Sequence, residues 1–152
     1  MKKSIVAYTD GACKGNPGIG GWGAVLSYGD VSKEIYGAEE ETTNNRMEIM
    51  AAIATLRALK KTHPIKIYTD SKYLQNGINQ WLKGWKANGW KTAAKKPVKN
   101  QDLWQELDEL VQKNDVTWAW VKGHSGNAGN DKADELANKA IIELMESKNE
   151  RS

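Results

Sequence analysis

Two stretches decide the fold: Ser4-Ile5-Val6-Ala7-Tyr8-Thr9-Asp10-Gly11 near the start and Ile65-Lys66-Ile67-Tyr68-Thr69-Asp70 in the middle. Each is a short β-rich run that stops at an aspartate. Between them, Cys13 to Gly21 reads as a Gly-rich turn, and Trp22 to Tyr28 and Val31 to Tyr36 read as two further strands joined at Gly29-Asp30. Thr42-Thr43-Asn44-Asn45 is a cluster of capping residues that opens a helix to about Lys61, with Ile49, Ala52, Ile53, Leu56 and Leu59 as its apolar face. Beyond Asp70, Ser71 caps a helix through Ile78, and a second helical piece begins near Gln80. A helix from about Asn100 to Lys113, a strand from Val116 to Val121 and a loop at Gly123-His124-Ser125-Gly126 follow. A closing helix carries the stripe Ala133, Leu136, Ala137, Ala140, Ile141 and Leu144. Three early strands followed by alternating helix and strand predict an α/β fold with a mixed sheet. Strands one to three form an antiparallel meander, and the two later strands join in parallel through crossover helices.

The chain has 152 residues, which fits one domain. That domain is expected over residues 1–144, leaving 145–152 as a short C-terminal tail without a motif. A composition of 39% hydrophobic and 27% charged residues excludes wholesale disorder. No run approaches the length of a membrane span, and the apolar run after Met1 is too short for a signal peptide. Cys13 is the only cysteine, which excludes an intrachain disulfide and a multi-cysteine zinc site. A reduced, cytoplasmic, monomeric protein is expected.

The net charge of +3 hides an asymmetry. Residues 83–99 hold Lys83, Lys86, Lys91, Lys95, Lys96 and Lys99 and no acid, and the rest of the chain carries 16 basic against 19 acidic residues. Trp81, Trp85, Trp90 and Trp104 lie in or beside this arm, so four of seven tryptophans cluster there. Lysines interleaved with indoles suit a polyanion that presents flat faces; a solvated surface loop is the alternative.

Asp10 and Asp70 stand at the C-terminal ends of strands that can be neighbours, where open α/β sheets build their sites. Glu48 falls on the first turns of the first long helix, and Asp134 near the start of the last. Four carboxylates converging at one sheet edge would repel one another and hold protons. A hard divalent cation removes that repulsion, and an all-oxygen set suits Mg²⁺ or Mn²⁺ better than zinc.

Four motifs then resemble those of ribonuclease HI. Thr9-Asp10-Gly11-Ala12-Cys13 with Gly15-Asn16-Pro17-Gly18 is similar to the first, and Thr43-Asn44-Asn45-Arg46-Met47-Glu48 to the second. Tyr68-Thr69-Asp70-Ser71 is similar to the third. Trp120-Val121-Lys122-Gly123-His124-Ser125-Gly126 with Asn130 and Asp134-Glu135-Leu136-Ala137 resembles the fourth. The lysine arm, about residues 81–101, resembles the basic protrusion of bacterial members. The resemblance implies a ribonuclease H-like five-stranded mixed sheet flanked by helices. It also implies an endonuclease that hydrolyses the RNA strand of an RNA–DNA hybrid, leaving 5′-phosphate and 3′-hydroxyl ends.

By the same resemblance, Asp10, Glu48, Asp70 and Asp134 hold two Mg²⁺ ions, with Mn²⁺ able to substitute, and His124 handles a proton or assists product departure. Asn16, Asn45 and the backbone around Gly11 and Cys13 face the RNA strand, where the 2′-hydroxyl marks RNA. Thr43 and Asn44 contact the DNA strand, Trp81 and Trp104 pack on deoxyribose or line the DNA channel, and Lys83, Lys86, Lys95 and Lys96 engage phosphates. Asn130 belongs to the fourth motif. Lys72 departs from the pattern, since an amide is common after Ser71, and adds charge near the site. Cutting is expected to be largely sequence-independent, because phosphate and sugar contacts carry no base information.

Two competing readings follow from the same residues. A catalytically inactive hybrid-binding module of this fold would need a broken carboxylate set, and none of the four is missing. A transposase or integrase core would normally carry further DNA-binding domains, for which there is no room. Gly18-Ile19-Gly20-Gly21-Trp22-Gly23 satisfies a dinucleotide pattern but precedes a strand instead of opening a helix, so it is read as a turn.

Overall fold

In the computed structural model, the described residues are 4–59, 63–92, 94–122 and 128–151. The strands are β1 (Ile5–Gly15), β2 (Gly18–Tyr28), β3 (Val31–Thr42), β4 (Pro64–Thr69) and β5 (Asp115–Trp120). The helices are α1 (Asn44–Arg57), α2 (Lys72–Asn76), α3 (Leu82–Ala87), α4 (Gln101–Lys113) and α5 (Ala128–Arg151). A π-helical stretch, Gly77–Trp81, joins α2 to α3. The five strands form one sheet in the order β3-β2-β1-β4-β5. β1, β2 and β3 are an antiparallel meander, and β4 and β5 extend it in parallel, as the alternation of elements predicts.

The sheet is the middle of three layers. α1 packs against β1 and β2 with α4 against it and touching β5, and α5 packs against β1, β2 and β3. Ile49 and Ile53 of α1 meet Ile65 and Ile67 of β4 in the core, all 2% exposed or less. Each such side chain contributes about 1.5–3 kcal/mol of burial.

The Gly-rich segment departs from the sequence reading. Cys13 to Gly21 is not a turn but paired ladder, with Cys13 opposite Gly20 and Gly15 opposite Gly18, so only Asn16 and Pro17 turn the chain. The G-x-G-x-x-G stretch is therefore the first half of β2. Its glycines answer to the helix above: a Cβ at Gly21 would lie 2.4 Å from the Ala137 carbonyl oxygen, and one at Gly23 2.5 Å from that of Ala133. The space α5 needs outweighs their low strand propensity. β3 likewise runs on to Thr42 instead of stopping at Tyr36, and α5 continues past Met145 to Arg151.

Candidate active site

The parallel pairing of β1 with β4 places Tyr8 opposite Tyr68. Asp10 and Asp70 therefore stand side by side, two residues further along adjacent strands. α1 supplies the third carboxylate. Thr43 caps this helix, its hydroxyl oxygen accepting the Arg46 N–H at 3.2 Å, and that start sets Glu48 on the second turn, facing β1. Carboxylate oxygens of Asp10, Glu48 and Asp70 lie within 4.8 Å of one another. Asp134, on the second turn of α5, completes an open cleft of about 330 Å³ whose walls include Gly11, Asn44, Asn45, Ser71, Lys72 and Tyr73.

Glu48 is only 6% exposed, yet it is well held. It accepts the Gly11 N–H and a hydrogen bond from Ser71. Burial pushes its carboxyl up to about 7 despite those donors. Asp10 is pushed to about 9 by burial first, then by the Glu48 charge, its hydrogen bond to Asp134 and the Asp70 charge. Without a counter-charge, Asp10 thus keeps a proton at neutral pH. The side-chain amide of Asn138 donates to Asp134 Oδ1 at 3.3 Å, one turn away on α5.

This donor set fits a hard divalent cation. Its ligand atoms are all oxygen, they converge from separate elements, and their crowding favours displacement of protons by metal.

The expected substrate residues divide into groups. Asn16 sits in the β1–β2 turn and accepts the Asn44 N–H at 3.2 Å, which brings both to the α1 end of the cleft with Asn45. Cys13 Sγ lies 3.6 Å from the Gly18 carbonyl and 3.5 Å from that of Thr42, and burial raises its thiol pKa. Asn130 lies beside Thr9, Asp10, Asp70 and Asp134. Lys72 is exposed at the cleft rim, as are Lys83, Lys95 and Lys96 on the arm. His124 lies outside the described residues.

One expectation needs correction. Trp104 is completely buried, with its Nε1 donating to the Tyr73 hydroxyl at 3.1 Å, so it has no face left for a sugar. Its apolar neighbours explain this, because α4 turns Leu103, Trp104 and Leu107 into the core together. Trp81 remains partly exposed, its ring 5.6 Å from Tyr73. Lys86 is exposed like the other arm lysines, and its ammonium lies 3.2 Å from Asp108.

Other residues that shape the site carry no sequence signal for that role. Ser71 reads as a helix cap and as the end of the third motif, and it does accept the Leu74 N–H at 3.1 Å, but it also serves Glu48. Tyr73 accepts from both Asn100 Nδ2, at 3.0 Å, and Trp104. Arg46 grips Asp102 with two bonds, 3.0 and 2.8 Å, and reaches Asn100. Nothing local marks Tyr73 or Arg46, because their partners lie 27 or more positions away.

Comparison with known proteins gives a consistent result. The RNase H family profile matches residues 2–142. The chain is 77% identical over 144 residues, 95% of each chain, to a ribonuclease H of Francisella tularensis subsp. novicida (strain U112). It is 78% identical over 143 residues, 94% of each, to a ribonuclease H of Francisella philomiragia subsp. philomiragia. Among solved structures it is similar to LC9-RNase H1, a type 1 RNase H with the type 2 active-site motif. That likeness has a TM-score of 0.83 at 32% identity and covers 93% of this chain and 73% of the other.

Proposed function

The chain belongs to the ribonuclease H family and is a ribonuclease, and from that premise we propose that it hydrolyses the RNA strand of RNA–DNA hybrids as a metal-dependent endonuclease. The observation that carries the reading is the convergence of Asp10, Glu48 and Asp70 within 4.8 Å, with Asp134 in the same cleft. These four side chains would hold two Mg²⁺ ions, for which Mn²⁺ would substitute. When bound, the ions supply an activated water and charge stabilisation for the leaving 3′ oxygen, which gives 5′-phosphate and 3′-hydroxyl ends.

The chain's own groups prepare that chemistry. Gly11 N–H and Ser71 hold the Glu48 carboxylate in one orientation, and Asn138 does the same for Asp134. Asp10, held protonated by burial and its acidic neighbours, is the carboxyl that would have to lose its proton for the set to hold a cation. His124 carries a proton during product departure, a role suited to an imidazole.

Substrate is held along a line from the cleft to the arm. Asn16, Asn45 and the Gly11–Cys13 backbone face the RNA strand, Thr43 and Asn44 the DNA strand, and Asn130 the scissile region. Trp81 packs on a deoxyribose, while Lys83, Lys95 and Lys96 meet phosphates and Lys72 adds positive charge at the rim. These contacts address sugar and phosphate, so cutting is largely independent of sequence. No described helix is long and apolar enough to cross a membrane. The single cysteine, Cys13, supports a reduced, cytoplasmic location, and we take the enzyme to be monomeric.

The test is cleavage of end-labelled substrates with Mg²⁺. The RNA strand of a hybrid should be cut internally, while duplex DNA and single-stranded RNA are largely spared. Binding of the hybrid without any cleavage in Mg²⁺ or Mn²⁺ would sink the reading.

A further inference from the structure

Six lysines lie between residues 83 and 99, and Lys86 alone among them forms an ion pair within the described residues. Its Nζ lies 3.2 Å from Asp108 Oδ2 and 3.4 Å from Oδ1, so both carboxylate oxygens are engaged. The Asp108 side chain is only 14% exposed, against 43% for Lys86. A sheltered carboxylate stripped of its partner is costly, which opposes any movement of this ammonium towards a phosphate.

The pair also sits at a joint. Lys86 is in the last turn of α3, at the root of the arm, and Asp108 is mid-way along α4. Beside it, the Trp85 ring packs 5.6 Å from Trp104 and 6.4 Å from Trp90. The chain then folds back on itself, with the Trp90 N–H donating to the Trp85 carbonyl at 2.7 Å and the Val98 N–H to the Trp90 carbonyl at 3.2 Å. The arm is therefore docked on α4 through this joint.

We propose that Lys86 is a positioning residue: with Asp108 it seats the basic arm on α4, and the other arm lysines meet the polyanion. This rests on the reading above that the arm receives the hybrid. The arrangement makes a prediction opposite in sign to simple electrostatics. Neutralising an acid on a polyanion-binding face should tighten binding, whereas unseating the arm should weaken it.

The experiment measures KM and kcat for hybrid cleavage at several salt concentrations for the parent, Lys86→Met, Asp108→Asn, the double variant and Lys86→Arg, with thermal midpoints to confirm folding. KM should rise about threefold in each single variant, the scale of one moderately exposed ion pair, with kcat unchanged. The double variant should add nothing further, since both singles break the same ion pair, and Lys86→Arg should keep the parent KM. The salt slope should be the same in Lys86→Met as in Asp108→Asn, since both unseat the same arm. A lower or unchanged KM in Asp108→Asn overturns the proposal. So does a salt slope lower by about 0.7–0.9 in Lys86→Met than in Asp108→Asn, which marks a phosphate neutralised by Lys86 itself. Failure of the broader reading is distinguishable, because the parent itself would then leave the hybrid uncut.

Discussion

The backbone N–H of Gly11 donates to the Glu48 carboxylate, joining β1 to the second turn of α1 at the floor of the cleft. The approach leaves no room for a side chain: a Cβ at Gly11 would lie 2.6 Å from the Glu48 nitrogen and 2.9 Å from its Oε1. Gly11→Ala should therefore push α1 away and turn Glu48 off its donors. Overpacking of this kind costs about 1–3 kcal/mol, and kcat should fall by at least about tenfold, the effect of a misplacement worth one such increment. Thermal unfolding and steady-state kinetics of Gly11→Ala check both; wild-type kcat would show that the contact is incidental.

The carboxylate set makes the metal-free protein less stable as pH rises. Asp10 at about 9 and Glu48 at about 7 lie above their ordinary values of 3.8 and 4.5, so the native state holds more protons than the unfolded one between those limits. The contribution of these groups thus falls as pH climbs from about 4 to 9, and levels off above. Asp10→Asn, which needs no proton, should melt higher than wild type in EDTA. The gap should widen from pH 5 to pH 9, at about 2–4 °C per kcal/mol. A gap that narrows with pH would contradict this, and Mg²⁺ should raise the wild-type midpoint more than that of the variant.

The exposed arm lysines should act through counterion release. Replacing Lys83, Lys95 and Lys96 together with Ala should weaken hybrid binding and reduce its salt slope by about 0.7–0.9 for each phosphate no longer neutralised. Fluorescence anisotropy of a labelled hybrid across a salt series gives the slope. An unchanged slope would return the arm to a plain surface loop.

Trp81 and Trp104 should separate cleanly. Trp104 is 0% exposed, so Trp104→Ala should cost about 3–5 kcal/mol of stability. Trp81→Ala should leave the melting midpoint nearly unchanged and raise KM. Denaturant melts and hybrid kinetics on the two variants distinguish the roles, and a large stability loss in Trp81→Ala would merge them.

The parts of the fold that are legible in the sequence are those specified locally. The capping hydroxyl of Thr43, the apolar face of α1 and the strands leading to Asp10 and Asp70 follow from residue type and spacing, and so do the places of Glu48 and Asp134 near the starts of α1 and α5. What is not legible depends on distant partners. The Cys13–Gly21 segment carries the residues of a turn, but α5 passes so close to its end that Gly21 is needed inside a strand. Trp104 carries a polar handle, and only the Tyr73 hydroxyl, 31 positions away, shows that it is used inside the core. Lys86 looks like its neighbours until Asp108 is placed beside it.

The most direct test of the central claim, that these carboxylates form a metal-dependent hybrid-cleaving centre, is cleavage of an RNA-labelled hybrid by wild type and Asp10→Asn, with Mg²⁺ and with EDTA. Wild type should cut the RNA strand only with Mg²⁺, and Asp10→Asn should bind the hybrid while leaving it intact in both conditions. Cleavage by wild type in EDTA, or by Asp10→Asn at the wild-type rate, would contradict the account.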